Sequence, residues 1–573
     1  MPLMFNKRRF AVLLIALATL FAGESYAIAD NPPRKILTGW IPYYSKTGLS
    51  SAVTNADIIS EVSPFWYSLT SETKIVDQYA LGNPSVPISV PISTLRSMNF
   101  KILPTITDGT SKGILAALLA KDSARANIVQ SIMTLINQNG YDGIDLDFEN
   151  FAFVDGNTTW TTTAPLWTQF VKDLSAALHA QNKLLSITSP VAFDPASGKR
   201  GYYVYSWPEI SNYIDRLRIM AYDFSVAKVG PIGPINWTED AVRYAASVIS
   251  PSKIYIGIPG YGRDWVTAVN GTCPSDVASI IKVGAKAATF VMRDALNLAA
   301  SYGATPTFDN QTGENTFTYQ KTYIGNTTGG AATQCTATRT AWFQDAKSFT
   351  LRGQLVLKYQ LAGLAEWSLG MEDAIAQQAL HEIAKSVVNE VLTVDNSNTE
   401  LGTAINMTGT FILPNSTPAT NLPVRVEGKN STSDWRQLYS TNTAQDGTIK
   451  LTGLFGENTS LRLASDGTPG LFASQSPSID IKVSRAISWK APASIKHGVS
   501  YSITGQVQPK VANINIKLLM NNGLLATAMT DVDGRFTIPI NYDKIGFANV
   551  KLAIDGDTRF SDSNSTTVQI LVR

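Results

Sequence analysis

The segment that most constrains the fold is residues 140–150, which read GYDGIDLDFEN. Acids occupy every second position from Asp145 through Asp147 to Glu149, and apolar residues fill the positions between them. Because successive side chains of a strand point to opposite faces, this alternation predicts a strand with one acidic and one apolar face. The apolar face must pack against other elements, so we expect the strand inside a layered fold.

The spacing of these acids favours acid–base chemistry. Buried carboxylates about two residues apart are unstable unless they share protons and their pKa values separate, which keeps one carboxylic acid protonated near neutral pH. A solvated acidic edge strand and a calcium loop are the other interpretations. An exposed edge does not need a regular apolar face, and a calcium loop needs Gly at its sixth and Glu at its twelfth position. Counted from Asp145, those positions hold Asn150 and Gly156, which excludes the calcium loop.

The start of the chain predicts export. Residues 1–29 have the pattern of a secretory signal peptide, with cations at 7–9, an apolar run over 10–22 and small residues at 25–29. The apolar run is shorter than the ~20 residues that span a bilayer, and no later stretch is long and apolar enough to do so. We therefore expect a protein secreted to the extracellular space or the cell wall, with no membrane anchor after signal cleavage.

Composition narrows the chemistry further. Charged residues make up 16% of the chain and the net charge is +2, so nothing indicates a nucleic-acid partner. The histidines His179, His381 and His497 lie on different predicted elements, and we expect neither a zinc site nor a histidine triad, and no metal or cofactor. Cys273 and Cys335 are candidates for one disulfide in an oxidising compartment, with two free buried thiols as the alternative.

The chain of 573 residues is too long for one core and predicts several domains. Over residues 30–392, eight short apolar runs alternate with helical patterns, which predicts an α/β fold of the (β/α)8 TIM-barrel type. Active sites of such barrels lie at the carboxyl ends of the strands, and Glu149 ends the fourth run. The interval 264–340 is too long for a simple loop and predicts a small α+β insertion between strands 7 and 8, with a helix over 285–302.

The remainder changes to short alternating strands. Residues 393–402, rich in Asn, Ser and Thr, predict a linker. Beyond it the sequence repeats: residues 444–451 correspond to 531–538, and 461–467 to 550–556, with Asp-Gly turn signals. We predict two all-β sandwich modules of immunoglobulin-like size, residues 403–485 and 486–573. They are spacer or wall-docking modules in one interpretation and carbohydrate-binding modules in another, and only Trp435 and Trp489 are available there to stack on sugars.

Four motifs carry a family resemblance. Residues 142–149 contain acids in the pattern D-x-x-D-x-D-x-E, which resembles the signature of glycoside hydrolase family 18, the chitinase and N-acetylglucosaminidase family. Residues 220–223 (MAYD), 257–262 (GIPGYG) and 366–370 (EWSLG) resemble the family's sixth-, seventh- and eighth-strand motifs. Residues 230–237 and 342–345 resemble the spore-germination and cortex-lytic branch. The Ser-x-Gly-Gly motif of many chitinases is replaced on the third strand by residues 103–109, which again favours that branch.

The resemblance implies a substrate-assisted mechanism. Glu149 would protonate the glycosidic oxygen while the 2-acetamido carbonyl of the substrate attacks C1. Asp147 would orient the acetamido group, with Asp145 sharing a proton in a carboxyl pair beneath it, and Tyr222 would hydrogen-bond the acetamido carbonyl. Asp142, near the start of the strand, is expected to be structural. The predicted substrate-binding residues are Asp223, Trp367, Met220, Tyr261 and Trp40, with Tyr43, Trp66 and Arg263 as further strand-end candidates for the cleft or for packing.

The predicted function is therefore a secreted retaining glycoside hydrolase that cleaves β-1,4 bonds next to N-acetylglucosamine in peptidoglycan or chitin. A non-catalytic glycan-binding protein on the same barrel is the alternative, and a wall-anchored structural protein with a vestigial barrel is a third interpretation. All three predict a polysaccharide partner, and only the first predicts turnover.

Overall fold

The structure is a computed structural model that describes residues 33–573. The predicted signal peptide at 1–29 lies outside the described residues. Eight parallel strands form the sheet that carries the acidic segment: β1 Leu37–Pro42, β2 Ile59–Ser71, β3 Thr105–Asp108, β4 Gly143–Asp147, β5 Leu184–Pro190, β6 Arg216–Met220, β7 Ile254–Pro259 and β8 Gly363–Trp367.

These strands close into a ring. Each pairs in parallel with its neighbour in sequence, and β1 pairs with both β2 and β8. The predicted (β/α)8 barrel is confirmed. Its surrounding helices are Gly48–Thr54, Tyr79–Gly82, Ser89–Ser97, Ile114–Leu119, Asp122–Asn139, Asn150–Phe153, Trp160–His179, Trp207–Ile210, Ile235–Val248, Ala346–Tyr359 and Ala374–Ala384.

The chain between β7 and β8 builds a second sheet. Its five strands are Tyr261–Gly271, Ala288–Val291, Thr307–Asp309, Glu314–Asn326 and Ala332–Phe343. A disulfide joins Cys273 to Cys335 beside this sheet. The predicted helix over 285–302 is wrong in its first half, which forms the strand Ala288–Val291; only Ala295–Ser301 is α-helical. The strand is exposed on one side and pairs with Tyr261–Gly271, so backbone pairing overrides its weak helical pattern.

Two all-β modules follow, and their sheets have the same strand order. In the first, the three-stranded sheet comprises Asn389–Val394, Ile405–Ile412 and Thr448–Gly453, and the larger one Asn398–Glu400, Ile479–Ser484, Thr459–Ser465, Pro423–Lys429, Arg436–Asn442 and Ser474–Gln475. In the second, the strands are Ala486–Lys490, Tyr501–Gln508 and Arg535–Ile540, then Ser494–Ile495, Val568–Val572, Gly546–Ile554, Asn515–Met520, Gly523–Met529 and Ser563–Asn564. The internal repeat therefore appears as repeated topology.

The predicted linker at 393–402 is wrong. Asn389–Val394 pairs with Ile405–Ile412, and Asn398–Glu400 pairs with Ile479–Ser484, so this segment already contributes to both sheets of the first module. Backbone hydrogen bonds to these neighbours hold a polar segment in strand conformation, which a composition-based prediction does not detect. None of the helices among residues 33–573 is long and apolar enough to cross a membrane.

Candidate active site

Strand β4 places its acids inside the barrel. The apolar positions Ile144, Leu146 and Phe148 are fully buried against the surrounding helices, so the alternate side chains point inward. Gly143 permits the close approach of β5, because a Cβ there would lie 2.2 Å from the carbonyl oxygen of Leu184. The alternation in the sequence thus sets which face of β4 carries the chemistry.

Asp142 has the structural position that the sequence predicts. Its Oδ2 accepts a hydrogen bond of 2.8 Å from the backbone N–H of Ile102, at the amino-terminal end of β4. Asp142 therefore ties β4 to the neighbouring strand segment.

Asp145 is fully buried and surrounded by donors. Its Oδ1 accepts hydrogen bonds from Ser186 Oγ at 2.6 Å and Thr188 Oγ1 at 3.1 Å. Its Oδ2 accepts from Thr105 Oγ1 at 2.8 Å and Trp40 Nε1 at 3.1 Å. Four donors on strands β1, β3 and β5 thus hold the Asp145 carboxyl in place.

Arginines complete the surroundings of Asp145. Arg218 Nη1 lies 3.6 Å from Asp145 Oδ2, and Arg218 Nη2 lies 3.1 Å from Glu61 Oε1. Arg216 Nε lies 3.1 Å from Glu61 Oε2. We call Glu61, Asp145, Arg216 and Arg218 the inner cluster. Barrel interiors are usually filled by apolar side chains, so a buried ionic cluster is a distinctive feature of this one.

Asp147 and Glu149, the mouth pair, are hydrogen-bonded to each other. Burial raises the pKa of Asp147 well above its usual range, and the charges of Glu149 and Asp145 raise it further. Burial also raises the pKa of Glu149; the hydrogen bond with Asp147 opposes this shift, and the charge of Asp223 adds to it. The predicted proton sharing of Asp147 with Asp145 stays a prediction: the charge of Asp145 acts on Asp147, and the hydrogen bond among the causes of its pKa shift is with Glu149.

The mouth pair opens into a cavity of about 850 Å³, the mouth cavity. It lies at the carboxyl ends of the strands, as the barrel fold predicts. The structure brings together there eight of the nine predicted catalytic and substrate-binding residues, and Asp145 lies below them. The acidic, cationic and aromatic side chains that line the cavity include Asp147, Glu149, Tyr222, Asp223, Trp367, Tyr261, Trp40, Phe65, Tyr44, Arg200, Phe224 and Trp237, and Met220 lies among them.

Tyr222 follows β6 and reaches over β7. Gly257 makes room for it, because a Cβ there would lie 2.9 Å from Tyr222 Cε1 and 2.4 Å from the Ile219 carbonyl oxygen. Burial raises the pKa of Tyr222 well above its usual range, and neighbouring Tyr261 and Asp147 raise it further. The hydroxyl therefore keeps its proton and is available as a donor.

Asp223 is held by two neighbours from the strand that follows β7. Its Oδ1 accepts hydrogen bonds from the Tyr261 hydroxyl and from Arg263, whose Nη2 lies 2.6 Å away. Asp223 adopts a left-handed backbone conformation, with φ of 59°. Its charge is thus paired, in contrast to the mouth pair.

Aromatic side chains form the base of the cavity. The Trp367 ring lies 4.8 Å from that of Phe65, edge-on, and 5.8 Å from that of Trp40, centroid to centroid. Trp40 is buried and donates to Asp145, so its edge faces the inner cluster while its ring supports Trp367. A flat apolar floor beside polar groups is a typical ligand-binding arrangement.

Two strand-end candidates, Trp66 and Tyr43, take the packing alternative. Trp66 packs in the barrel core beside Tyr79, and its neighbour Phe65 lines the cavity. In β2 successive side chains point to opposite faces, which separates these two residues. Tyr43 packs against the core from the turn after β1, and Tyr44 lines the cavity.

Two groups of residues in and below the mouth cavity were not predicted from the sequence. The inner-cluster residues Glu61, Arg216 and Arg218 had a signal, since Arg216 and Arg218 alternate with apolar residues as the acids of β4 do. Arg200, Phe224 and Trp237 lie in loops and at a helix start, where no periodicity indicates direction. No cluster of three or more His, Cys, Asp or Glu suited to a metal ion occurs within residues 33–573.

A smaller groove of about 450 Å³ lies in the first all-β module, between Arg436–Asn442 and Thr448–Gly453. Its single carboxylate, Glu457, accepts from Asn430 and Arg559. The groove therefore lacks the paired acids that distinguish the mouth cavity.

Comparison with known proteins agrees with this geometry. Residues 37–372 match glycosyl hydrolases family 18. The sporulation-specific glycosylase YdhD of Bacillus subtilis is 26% identical over 368 residues, which cover 62% of this chain and 74% of that protein. The cortical fragment-lytic enzyme of Bacillus subtilis is 22% identical over 50% of this chain and 61% of its own. The crystal structure of a chitinase from Chromobacterium violaceum ATCC 12472 superposes with a TM-score of 0.48 at 24% identity, covering 60% of this chain and 98% of that one. The match over more than half of the chain establishes that this protein belongs to glycosyl hydrolases family 18 and is a glycoside hydrolase.

Proposed function

We propose that this protein is a retaining glycoside hydrolase that cleaves β-1,4 bonds next to N-acetylglucosamine in peptidoglycan or chitin, by substrate-assisted catalysis. The observation that carries the proposal is the mouth pair: two hydrogen-bonded carboxyls with raised pKa values, open to the mouth cavity. The substrate classes come from the names of relatives, which include a sporulation-specific glycosylase, cortical fragment-lytic enzymes and chitinases.

Membership of family 18 supports substrate assistance. Most retaining enzymes use a second carboxyl to attack C1, and family 18 enzymes are an exception in which the substrate's own acetamido group attacks. Asp147 then orients that group and does not itself attack C1.

In the proposed mechanism Glu149 donates its proton to the glycosidic oxygen as the C1–O bond breaks. The acetamido carbonyl oxygen bonds to C1 and gives an oxazolinium ion. The configuration at C1 is retained after the second step. Asp147, released from Glu149, accepts the acetamido N–H and stabilises the positive charge. Water then attacks C1 as the bond between C1 and the acetamido oxygen breaks, and it gives its proton to Glu149, which restores the starting state.

The remaining side chains position the sugar. Tyr222 keeps its proton and donates to the acetamido carbonyl, and Asp223, oriented by Arg263, lines the same subsite. Trp367 provides the floor on which the apolar face of the ring packs. Asp145 lies below this subsite and helps to raise the pKa of Asp147.

Release of reducing ends from purified peptidoglycan, chitin and N-acetylchitooligosaccharides tests this function. Glu149→Gln should lower the rate by about 10²–10⁴-fold, the usual contribution of a general acid. Equal rates for the two proteins would contradict the mechanism. Binding without turnover by the unsubstituted protein would favour the non-catalytic glycan-binding alternative.

We propose secretion from the residue pattern at 1–29. We also propose a barrel domain that ends before the strand Asn389–Val394, and not at residue 392 as the sequence predicted, followed by two all-β modules that act as spacers. Deleting residues 389–573 and measuring pull-down on insoluble glycan tests the modules. Unchanged pull-down supports spacers, and lost pull-down would assign glycan binding to them.

A further inference from the structure

Arg200 is the one cationic side chain among the described residues that line the mouth cavity. The charged side chains facing it there are the mouth pair and Asp223. Asp223 is already paired with Arg263, whose Nη2 lies 2.6 Å from its Oδ1. Arg200 is therefore not needed to balance Asp223.

The charged residues near Arg200 have ionic partners, whereas Arg200 has no hydrogen-bond or ionic partner within residues 33–573. Lys199 pairs with Asp240 Oδ2, and Arg243 Nη1 lies 3.0 Å from Asp240 Oδ1. Asp240, a surface carboxylate in the same region, is thus occupied by two other cations. Arg200 is exposed at the edge of the cavity, with its guanidinium available to a ligand.

Aromatic rings adjoin Arg200. Phe224 and Trp237 contact edge to face, with ring centroids 5.3 Å apart, and Phe193 lies 6.2 Å from Trp237. Beyond them is a second cavity of about 390 Å³, the side cavity. Arg200, Phe224 and Trp237 line both cavities, so they form the boundary between them.

This boundary combines two kinds of recognition. Exposed aromatic rings pack against the apolar faces of sugars. A guanidinium offers parallel N–H donors that match a carboxylate, and such charge-assisted bonds are about twice as strong as neutral ones. A neutral sugar would use the rings and leave the cation without a partner.

We propose that Arg200, together with Phe224 and Trp237, forms a subsite for an acetamido sugar that carries a carboxylate. The lactyl group of N-acetylmuramic acid supplies such a carboxylate in peptidoglycan strands whose stem peptides have been removed, whereas the sugars of chitin are uncharged. Arg200 thus makes peptide-free peptidoglycan strands the preferred polymer. This inference rests on the proposed function, because it assigns one subsite of the same glycan-binding cavity.

The test compares two soluble substrates, peptide-free glycan strands of peptidoglycan and N-acetylchitohexaose. Arg200→Gln should lower kcat/KM on the strands by about 10-fold, the size expected for one charge-assisted bond at a partly exposed site. The kcat/KM on N-acetylchitohexaose should change by less than about twofold, because that substrate has no carboxylate for Arg200 to bind. Arg243→Gln removes the same side chain and charge outside the mouth cavity, and should change neither.

Esterifying the lactyl carboxylates of the strands sharpens the test. The kcat/KM of the unsubstituted protein should then fall by the same factor, and the kcat/KM of Arg200→Gln should not fall further. Equal losses on both substrates, or none on the strands, would overturn the proposal.

If the unsubstituted protein hydrolyses neither substrate, the proposed function is wrong, and the Arg200 subsite is tested by binding alone. The affinities of native and esterified strands, measured by titration calorimetry, then test whether Arg200 binds the carboxylate. Tighter binding of the native strands that disappears in Arg200→Gln supports the subsite, and equal binding contradicts it.

Discussion

The barrel contains two groups of buried carboxyls that differ in their counter-ions. In the inner cluster, Glu61 and Asp145 face the guanidinium of Arg218, and Asp145 also accepts from several donors. In the mouth pair, Asp147 and Glu149 face each other. Burial alone therefore does not decide the role of a carboxyl. The inner acids are paired with an arginine, whereas the mouth pair has no salt bridge within residues 33–573 and burial raises both of its pKa values.

The largest expected effect comes from removing the shared cation. Arg218→Met leaves Glu61 and Asp145 buried without their guanidinium, which should lower the free energy of unfolding by about 3–5 kcal/mol. Urea unfolding followed by tryptophan fluorescence measures this, since nine of the eleven tryptophans precede residue 392.

The matched control is Lys385→Met, which removes a cation from an exposed pair with Glu382, 3.5 Å apart. It should change stability little. A loss for Arg218→Met as small as that of the control would show that the inner acids do not depend on a counter-ion.

The next effect concerns the mouth pair. Asp147→Asn retains the shape but removes the negative charge that would stabilise the oxazolinium ion. We expect kcat to fall by about 10²-fold with little change in KM, because this interaction forms in the transition state. Steady-state kinetics on N-acetylchitooligosaccharides measure both constants, with the exposed Asp122→Asn as control. A rise in KM at unchanged kcat would instead assign Asp147 to ground-state binding.

The smallest effect involves a third carboxyl, Glu366 on β8. It is fully buried, and burial raises its pKa well above the usual range, with the charge of Glu372 and a hydrogen bond to Glu372 as further causes. A raised pKa stabilises the fold below the ordinary glutamate value, and that stability is lost as pH rises toward the folded pKa.

The glutamine in Glu366→Gln does not titrate, so the unfolding free energy of this variant should depend less on pH. Relative to the variant, the unsubstituted protein should lose about 1.4 kcal/mol per pH unit within that window. Unfolding free energies measured across pH test this, and Glu382→Gln, exposed on the neighbouring helix, should keep the original slope. Parallel curves for Glu366→Gln and the unsubstituted protein would contradict the raised pKa.

The sequence was sufficient for the barrel and for most residues of the mouth cavity. Alternation on β4 oriented Asp145, Asp147 and Glu149, and the strand-end motifs predicted Tyr222 and Trp367. These successes rest on period and position along strands, which are local properties.

The remaining features depend on contacts between distant segments. The counter-ion of Asp145 comes from β6, and its proximity follows from barrel closure. Arg200 and Trp237 reach the cavity from loops and a helix start, which have no fixed period. For the same reason the partner of Asp147 could not be chosen from spacing, because Asp145 and Glu149 are equally distant in sequence.

The central claim is that the mouth pair keeps a proton that Glu149 uses, and the pH dependence of kcat/KM tests it most directly. Glu149 must be protonated to act as the acid, so activity should persist while its raised pKa holds the proton and fall as pH rises through that pKa. We predict that this basic limb lies above the ordinary glutamate value of about 4.3. A basic limb at or below that value would show that Glu149 ionises as a solvated carboxyl, and would contradict the account.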